Sequence, residues 1–139
     1  AVPANLRSGK PESGSVPRPA DWGPVRQSYA GLLEIDPEWV AEHRGEVHVL
    51  DVRQREELDE RLGRIAGAQC VPLRELKERL GEIPREQPVV AVCHSGMRSG
   101  QATVILRQAG FPRFANLRGG MLLWRQLGLP VAHGPGMEA

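Results

Sequence analysis

The sequence predicts an α/β domain built on a central parallel sheet of about five strands, with helices on both faces of the sheet. Two observations predict this fold class. Short apolar runs alternate with helix-favouring segments over about 95 residues, as expected for successive βαβ units. The apolar run Val89–Val92 contains no polar residue, which is typical of a strand covered on both faces.

The predicted elements follow one another along the chain without an internal repeat. Asp36 and Pro37 predict the start of the first helix, because aspartate can cap backbone N–H groups and proline fits the first helical position. Glycines after the helical segments predict where these helices end. Helices are predicted at 37–45, 55–62, 72–81, 99–109 and 120–127, and strands at 47–52, 69–71, 89–92 and 114–117.

Residues 1–34 are predicted to be a linker or arm, residues 35–131 the folded domain, and residues 132–139 a C-terminal tail. Prolines and glycines recur through the arm too densely for a periodic helix or strand. Trp22 and Tyr29 stand out in it, because large aromatic side chains favour burial. We therefore expect part of the arm to pack on the domain through these two residues.

The composition argues against several classes of function. The net charge of the 139 residues is +1, so no strong field favours nucleic acid or an anionic membrane as a partner. No apolar run approaches the roughly 20 residues that a membrane span requires. The two cysteines, Cys70 and Cys93, suit a thiol used for chemistry in a reducing compartment better than a disulfide scaffold. We therefore expect a cytoplasmic protein.

Cys93 stands where the apolar run Val89–Val92 gives way to a polar turn. Ligands of parallel α/β sheets bind beyond the carboxyl ends of the strands, so we expect Cys93 at that edge. Gly96 permits a backbone that turns N–H groups inward, and with the N-terminus of the next helix these would form an anion-binding cradle. Arg98 adds a positive charge, and such surroundings stabilise a thiolate. The alternative is a structural thiol, since cysteine is often buried.

Four segments of the chain, in the expected order, resemble motifs of the rhodaneses, the thiosulfate and persulfide sulfurtransferases. Residues 93–99 (CHSGMRS) resemble the active-site loop of these enzymes. The likeness covers roughly residues 35–130. Residues 50–53 (LDVR) resemble the motif after the family's leading strand. Residues 63–72 (GRIAGAQCVP) resemble its glycine-histidine-isoleucine-proline-glycine-alanine segment, and residues 110–124 (GFPRFANLRGGMLLW) resemble its C-terminal signature.

The chain departs from the family pattern at three positions outside the loop. Arg64 stands where the family usually has histidine, Ala66 where it usually has proline, and Cys70 where asparagine is frequent. These departures bear on local packing rather than on the chemistry. We expect Cys70 to be a small buried hydrophobe rather than a second reactive thiol.

The resemblance implies a rhodanese-like fold and a sulfurtransferase that works through a persulfide on Cys93, without a metal or organic cofactor. The Cys93 thiolate would take the outer sulfur of thiosulfate or glutathione persulfide, and a thiophilic acceptor such as sulfite, glutathione or cyanide would then remove it. Arg98 would position the anionic donor, while Asp51 and Arg53 would organise the loop through hydrogen bonds. The residues expected to bind substrate are His94, Ser95, Gly96, Met97, Arg98 and Ser99.

A second resemblance lies at the N-terminus. Residues 1–9 (AVPANLRSG) are similar to the C-terminal end of glutathione persulfide dioxygenases of the metallo-β-lactamase superfamily, some of which carry a rhodanese domain after that end. The chain also does not begin with methionine. The resemblance implies that the chain is the rhodanese half of such a fusion, with the dioxygenase domain as its partner. A generic proline-rich arm is the alternative.

Three other functions stay open at this point. A cysteine-dependent phosphatase or arsenate reductase uses a similar cradle, but with five residues between cysteine and arginine, whereas four separate Cys93 from Arg98. A non-catalytic rhodanese-like interaction module is argued against by the presence of Cys93. A sulfur-relay domain with a protein acceptor would turn over thiosulfate poorly.

Overall fold

The computed structural model describes residues 22–28, 31–59 and 62–132, which form a six-stranded sheet with helices on both faces. Strands β1 to β6 are Arg26–Gln27, Leu33–Ile35, His48–Asp51, Gln69–Cys70, Val89–Val92 and Phe114–Leu117. Helices α1 to α3 are Pro37–Glu42, Met97–Gln108 and Gly120–Gln126. Three short 3-10 helices span Arg44–Glu46, Arg55–Asp59 and Leu73–Glu82.

The sheet has the strand order β1-β2-β6-β5-β3-β4. Strands β2 to β6 pair in parallel, which confirms the predicted parallel sheet. The sequence did not predict β2, nor β1, which pairs antiparallel with β2 at the edge of the sheet. Strand β1 belongs to the predicted arm, and Trp22 holds the arm on the domain as expected. The Trp22 side chain is buried and packs edge-on against Trp39, with ring centroids 6.2 Å apart.

The folded structure extends past both predicted domain boundaries. Leu33, inside the predicted arm, begins β2. At the other end, Ala132 exchanges two backbone hydrogen bonds with Arg64, at 2.9 and 2.7 Å. Tyr29, residues 1–21 and residues 133–139 lie outside the described residues, so the extents of the arm and tail stay predictions.

β5 lies inside the sheet, and all four of its residues are fully buried, as predicted. Side chains of a strand alternate between the two faces of its sheet. Val90 and Val92 accordingly pack in the apolar cluster that contains Trp124 of α3. Val89 and Ala91 pack in the opposite cluster, which includes side chains of α2 and of the 3-10 helix Leu73–Glu82. The helices therefore cover both faces of β5.

The sequence predicts α-helices over 55–62 and 72–81, but the structure has 3-10 helices in both places. In the first, Arg53 Nη1 donates a hydrogen bond to the Glu57 carbonyl oxygen at 3.4 Å. In the second, Arg79 interrupts the helix with φ −116°. An apolar spacing of three or four residues fits both helix types over so few turns. Within the described part of the chain, no helix is long and apolar enough to cross a membrane.

The N-terminus of α3 holds the backbone of the loop that follows β5. The Met121 N–H donates to the Cys93 carbonyl oxygen and the Leu122 N–H to the His94 carbonyl oxygen, both at 2.9 Å. Gly120 lies so close that a β-carbon on it would be 2.5 Å from the Cys93 carbonyl oxygen. Its φ of 59° also lies in the left-handed region. The loop and α3 can meet in this way because residue 120 has no side chain.

We expect Gly120→Ala to lower the free energy of unfolding by at least about 1–3 kcal/mol, which is the usual cost of a residue with a strained backbone. The loop must also move away from the new β-carbon, which adds to this cost. Denaturant unfolding measures this change. Gly81→Ala is the matched control, since a β-carbon at Gly81 would meet no atom within 4 Å. Equal stability of the two variants would contradict the proposed packing of α3 on the loop.

Candidate active site

Cys93 follows β5 at the carboxyl edge of the sheet, as predicted, and its side chain is buried. The residue is 1% exposed and packs in the apolar cluster on the α2 side of the sheet. The loop of residues 94–96 follows Cys93, and α3 fixes it through hydrogen bonds to the Cys93 and His94 carbonyl oxygens.

The Cys93 sulfur accepts hydrogen bonds from the segment that follows it. The Gly96 nitrogen lies 3.1 Å from Sγ, and Ser99 Oγ lies 3.3 Å from Sγ. Burial raises the pKa of the Cys93 thiol. The Ser99 hydroxyl and the backbone N–H groups of Ser99, Gly96 and Ser95 outweigh this effect, so that the pKa is lowered from its ordinary value. The thiol is therefore predisposed to ionise.

Gly96 and the start of α2 give this cradle its shape. α2 begins at Met97, two residues before the predicted start at 99. Gly96 precedes it with φ 114°, in the left-handed region that favours glycine, and its N–H is directed at the sulfur. The N–H groups at the start of a helix have no partner within the helix and carry a partial positive charge. The structure thus has the inward-turned N–H groups that the sequence predicted.

The side chains of His94, Ser95 and Met97 are exposed to solvent, and Met97 is 77% exposed. Of these three residues, Ser95 contributes its backbone N–H to the stabilisation of the Cys93 thiolate. The side chains of His94 and Met97 line the outside of the loop. Their role in binding substrate stays a prediction.

Arg98 is paired with a carboxylate that the sequence interpretation missed. Its Nη1 and Nη2 donate to Oε2 and Oε1 of Glu57 at 2.7 and 2.9 Å, in a bidentate pair. This hydrogen bonding lowers the pKa of Glu57 and raises the pKa of Arg98, so both groups are ionised at neutral pH. The side chain of Arg98 remains 34% exposed. An anionic substrate must therefore share the guanidinium with Glu57 or displace the carboxylate.

Asp51 and Arg53 form an ion pair in which both side chains are 1% exposed. Arg53 Nη2 lies 2.8 Å from Asp51 Oδ2, and Arg53 Nε lies 3.0 Å from Asp51 Oδ1. Arg53 also donates to the carbonyl oxygens of Gly63 and Glu57. It therefore ties the end of β3 to the backbone of Glu57, the partner of Arg98. These contacts fit the supporting role expected for both residues.

Asn116 on β6 is a second residue that the sequence interpretation missed. It is 2% exposed, and its Nδ2 donates to the Gly96 carbonyl oxygen at 3.2 Å. Its Oδ1 accepts a short hydrogen bond from the Ser99 hydroxyl. The sequence did indicate a role for Asn116, because an amide in the apolar strand Phe114–Leu117 needs buried hydrogen-bond partners. Glu57 gave no such signal, since it lies in a charged segment that resembles an ordinary exposed surface.

A groove of about 240 Å³ adjoins Arg98. Apolar side chains form part of its wall, and Arg74, which donates a hydrogen bond to Gln54 Oε1 at 2.8 Å, adds a second cation. The groove can accommodate an anionic molecule with apolar parts beside the loop. Its lining residues are Val52, Gln54, Pro72, Leu73, Arg74 and Arg98.

Cys70 lies on β4, next to Asp51 of β3 in the register of the sheet. Its side chain is partly exposed, so the expectation of a buried hydrophobe is wrong. The reason is that β4 is an outer strand of the sheet and has a neighbouring strand on one side.

A model of the rhodanese-like domain matches residues 36–127. The chain belongs to the rhodanese-like family. The sulfurtransferase of Allochromatium vinosum is 38% identical over 101 residues, which cover 70% of this chain and 92% of that protein. The YqhL protein of Bacillus subtilis is 40% identical over 76 residues, or 55% of this chain and 59% of that protein. A rhodanese-related protein from Thermoplasma volcanium has a TM-score of 0.68 and 31% identity, over 73% of this chain and 98% of that one.

Membership of the rhodanese-like family confirms the predicted fold class and the resemblance carried by the four segments. Together with the sulfurtransferase among the relatives, it supports sulfurtransferase activity in general. The roles of individual residues around Cys93 in this rhodanese-like domain are predictions that rest on the geometry described above.

Proposed function

We propose that this rhodanese-like domain transfers sulfane sulfur from thiosulfate or glutathione persulfide to a thiophilic acceptor through a persulfide on Cys93. The observation that carries the proposal is the set of donors around the sulfur, namely the Ser99 hydroxyl and the N–H groups of Ser95, Gly96 and Ser99. They stabilise a thiolate inside the protein, and a thiolate is the nucleophile that sulfur transfer requires.

In the first half-reaction, the Cys93 thiolate attacks the outer sulfur of the donor. A new S–S bond forms, the bond within the donor breaks, and its electron pair leaves on sulfite or on the glutathione thiolate. The negative charge of the resulting persulfide lies on its outer sulfur, where the N–H groups of the loop can stabilise it.

In the second half-reaction, the lone pair of the acceptor bonds to the outer sulfur of the persulfide. The S–S bond to Cys93 breaks and its electron pair returns to Sγ, which leaves as the thiolate. Sulfite, glutathione, cyanide or a protein thiol can act as acceptor. The donor product leaves before the acceptor binds, so we expect ping-pong kinetics.

The charges beside the loop favour glutathione persulfide over thiosulfate as the donor. The positive charge of Arg98 is largely balanced by Glu57, which weakens its attraction for a small dianion. A glutathione moiety carries carboxylates on a longer, partly apolar chain. The groove beside Arg98 offers such a chain both apolar surface and the guanidinium of Arg74.

The compartment and the partner domain are part of the proposal. We propose a cytoplasmic setting because both Cys70 and Cys93 are thiols rather than disulfide partners, as a reducing compartment would keep them. Residues 1–9, which resemble the end of persulfide dioxygenases, lie outside the described residues. A fused dioxygenase of the metallo-β-lactamase fold would share glutathione persulfide with this domain.

The net charge of +1 supports small molecules rather than nucleic acid as partners.

A phosphatase or arsenate reductase reaction has less support. Four residues separate Cys93 from Arg98, which makes a tighter cradle than a phosphoryl group needs. Glu57 also occupies both terminal nitrogens of the Arg98 guanidinium. A non-catalytic module is less supported as well, because it would not require hydrogen bonds that lower the pKa of Cys93.

Intact-protein mass spectrometry tests the proposal. After incubation with thiosulfate, and separately with glutathione persulfide, we expect the protein to gain the mass of one sulfur atom and to lose it again on addition of sulfite or cyanide. Cys93→Ala should abolish the gain, whereas the control Cys70→Ala should retain it. No gain with either donor, or a gain that depends on Cys70, would contradict the proposal.

Glu57→Gln tests the role of the pair beside the loop. The amide can still hold Arg98 but no longer neutralises it, so we expect the KM for thiosulfate to fall by up to about tenfold, equivalent to about 1.4 kcal/mol in binding free energy. Steady-state kinetics measure the change. Glu82→Gln is the matched control, since Glu82 pairs with Arg79 on the surface. If thiosulfate bound no better to Glu57→Gln than to this control, Arg98 would not contribute to donor binding.

A further inference from the structure

Two acceptors compete for the single proton of the Ser99 hydroxyl beside Cys93. Ser99 Oγ lies within hydrogen-bond distance of both Cys93 Sγ and Asn116 Oδ1. A serine hydroxyl carries one proton and can donate to one of them at a time. Ser99 is 0% exposed, Cys93 1% and Asn116 2%, so bulk water does not compete for these atoms. The Ser99 proton therefore has two alternative partners inside the protein.

The orientation of the Asn116 amide is fixed by its second contact. Nδ2 donates to the Gly96 carbonyl oxygen at 3.2 Å, which leaves Oδ1 facing the Ser99 hydroxyl. Gly96 is also the residue whose N–H lies 3.1 Å from the Cys93 sulfur. One side chain on β6 thus contacts two of the residues that donate hydrogen bonds to Sγ, Gly96 and Ser99.

We propose that Asn116 is a positioning residue for sulfur transfer, which holds the Ser99 side chain and the Gly96 backbone where both can donate to the Cys93 sulfur. This inference rests on the proposed function, because it assigns a role in the return of charge to Sγ. In the persulfide, Sγ is uncharged and the Ser99 hydroxyl donates to Asn116 Oδ1. When the acceptor bonds to the outer sulfur, the S–S electron pair returns to Sγ and the hydroxyl turns toward the new thiolate. No proton leaves Ser99.

The other charged groups around the cradle belong to different elements, and the side-chain hydrogen bonds of Asn116 run to Ser99 and Gly96. Arg98 of α2 is paired with Glu57, Asp51 of β3 with Arg53, and His94 lies next to Cys93 in the loop. Arg118, which follows β6, is paired with Asp36. A change in the pKa of Cys93 in an Asn116 variant is therefore attributable to the Ser99 and Gly96 contacts.

The experiment uses a Cys70→Ala background, so that alkylation by iodoacetamide reports on Cys93 alone. Its variants are Asn116→Leu, which keeps a similar volume, Ser99→Ala and the double variant. The matched control is Thr103→Val, since Thr103 is also buried on α2 and donates to the Gly100 carbonyl oxygen. The measurements are the pH dependence of alkylation and the single-turnover rate at which sulfite discharges the persulfide.

We expect Asn116→Leu to raise the pKa of Cys93 by about one unit and to slow discharge about tenfold. Without the amide, the Ser99 hydroxyl can turn to a carbonyl of its own helix, and Gly96 loses its contact with β6. The KM for the donor should not change, because Asn116 does not touch the donor. In the double variant, the effect should be smaller than the product of the two single effects, since Asn116 acts partly through Ser99.

Three results would overturn the inference. An unchanged pKa would mean that Asn116 is a structural residue, and a lowered pKa would mean that it competes with the thiolate for the Ser99 proton. Independent effects in the double variant would mean that Asn116 does not act through Ser99. If Asn116→Leu does not fold, Asn116→Ala provides the same comparison. If no sulfur loads onto the background protein, the proposed function fails, while the alkylation measurement still decides the role of Asn116.

Discussion

The ionisation of Cys93 depends on the hydrogen bonds that converge on its sulfur. Burial at 1% exposure raises the pKa of a thiol and would leave it protonated and inert. The donors reverse that outcome. They exist because Gly96 adopts a left-handed backbone and α2 begins immediately after it, so that N–H groups of the first helical turn face the end of β5. A central strand, a glycine and a helix start together lower the pKa of a buried cysteine.

Polar side chains that are distant in sequence hold this arrangement in place. Asn116 on β6 contacts Gly96 and Ser99, and Glu57 holds Arg98. Arg53 in turn donates to the backbone of Glu57, and its own charge is matched by Asp51 in the interior. Buried polar groups that are fully partnered favour one arrangement over others, whereas loss of one partner leaves another group unsatisfied. The cradle is therefore supported from β3, β6 and α3 rather than by the loop alone.

Local patterns predicted much of the fold and the centre of the site. The apolar run Val89–Val92, the change to polar residues after it and Gly96 were sufficient to predict a buried strand ending at an anion cradle. Glu57 and Asn116 were missed because their partners are 41 and 17 residues away in sequence, and only the packed sheet brings them together. β1 was missed for a similar reason, since two exposed residues become a strand by pairing with β2.

Measurement of the Cys93 pKa in the folded protein decides whether the hydrogen bonds to Sγ outweigh burial. The rate of alkylation by iodoacetamide follows the thiolate fraction, and Cys70→Ala restricts the reaction to Cys93. The denatured protein gives the reference for an exposed thiol. If the donors outweigh burial, the folded protein will reach its half-maximal rate at a lower pH than the denatured protein. A half-maximal rate at the same or a higher pH would mean that burial dominates and that Cys93 is a structural thiol.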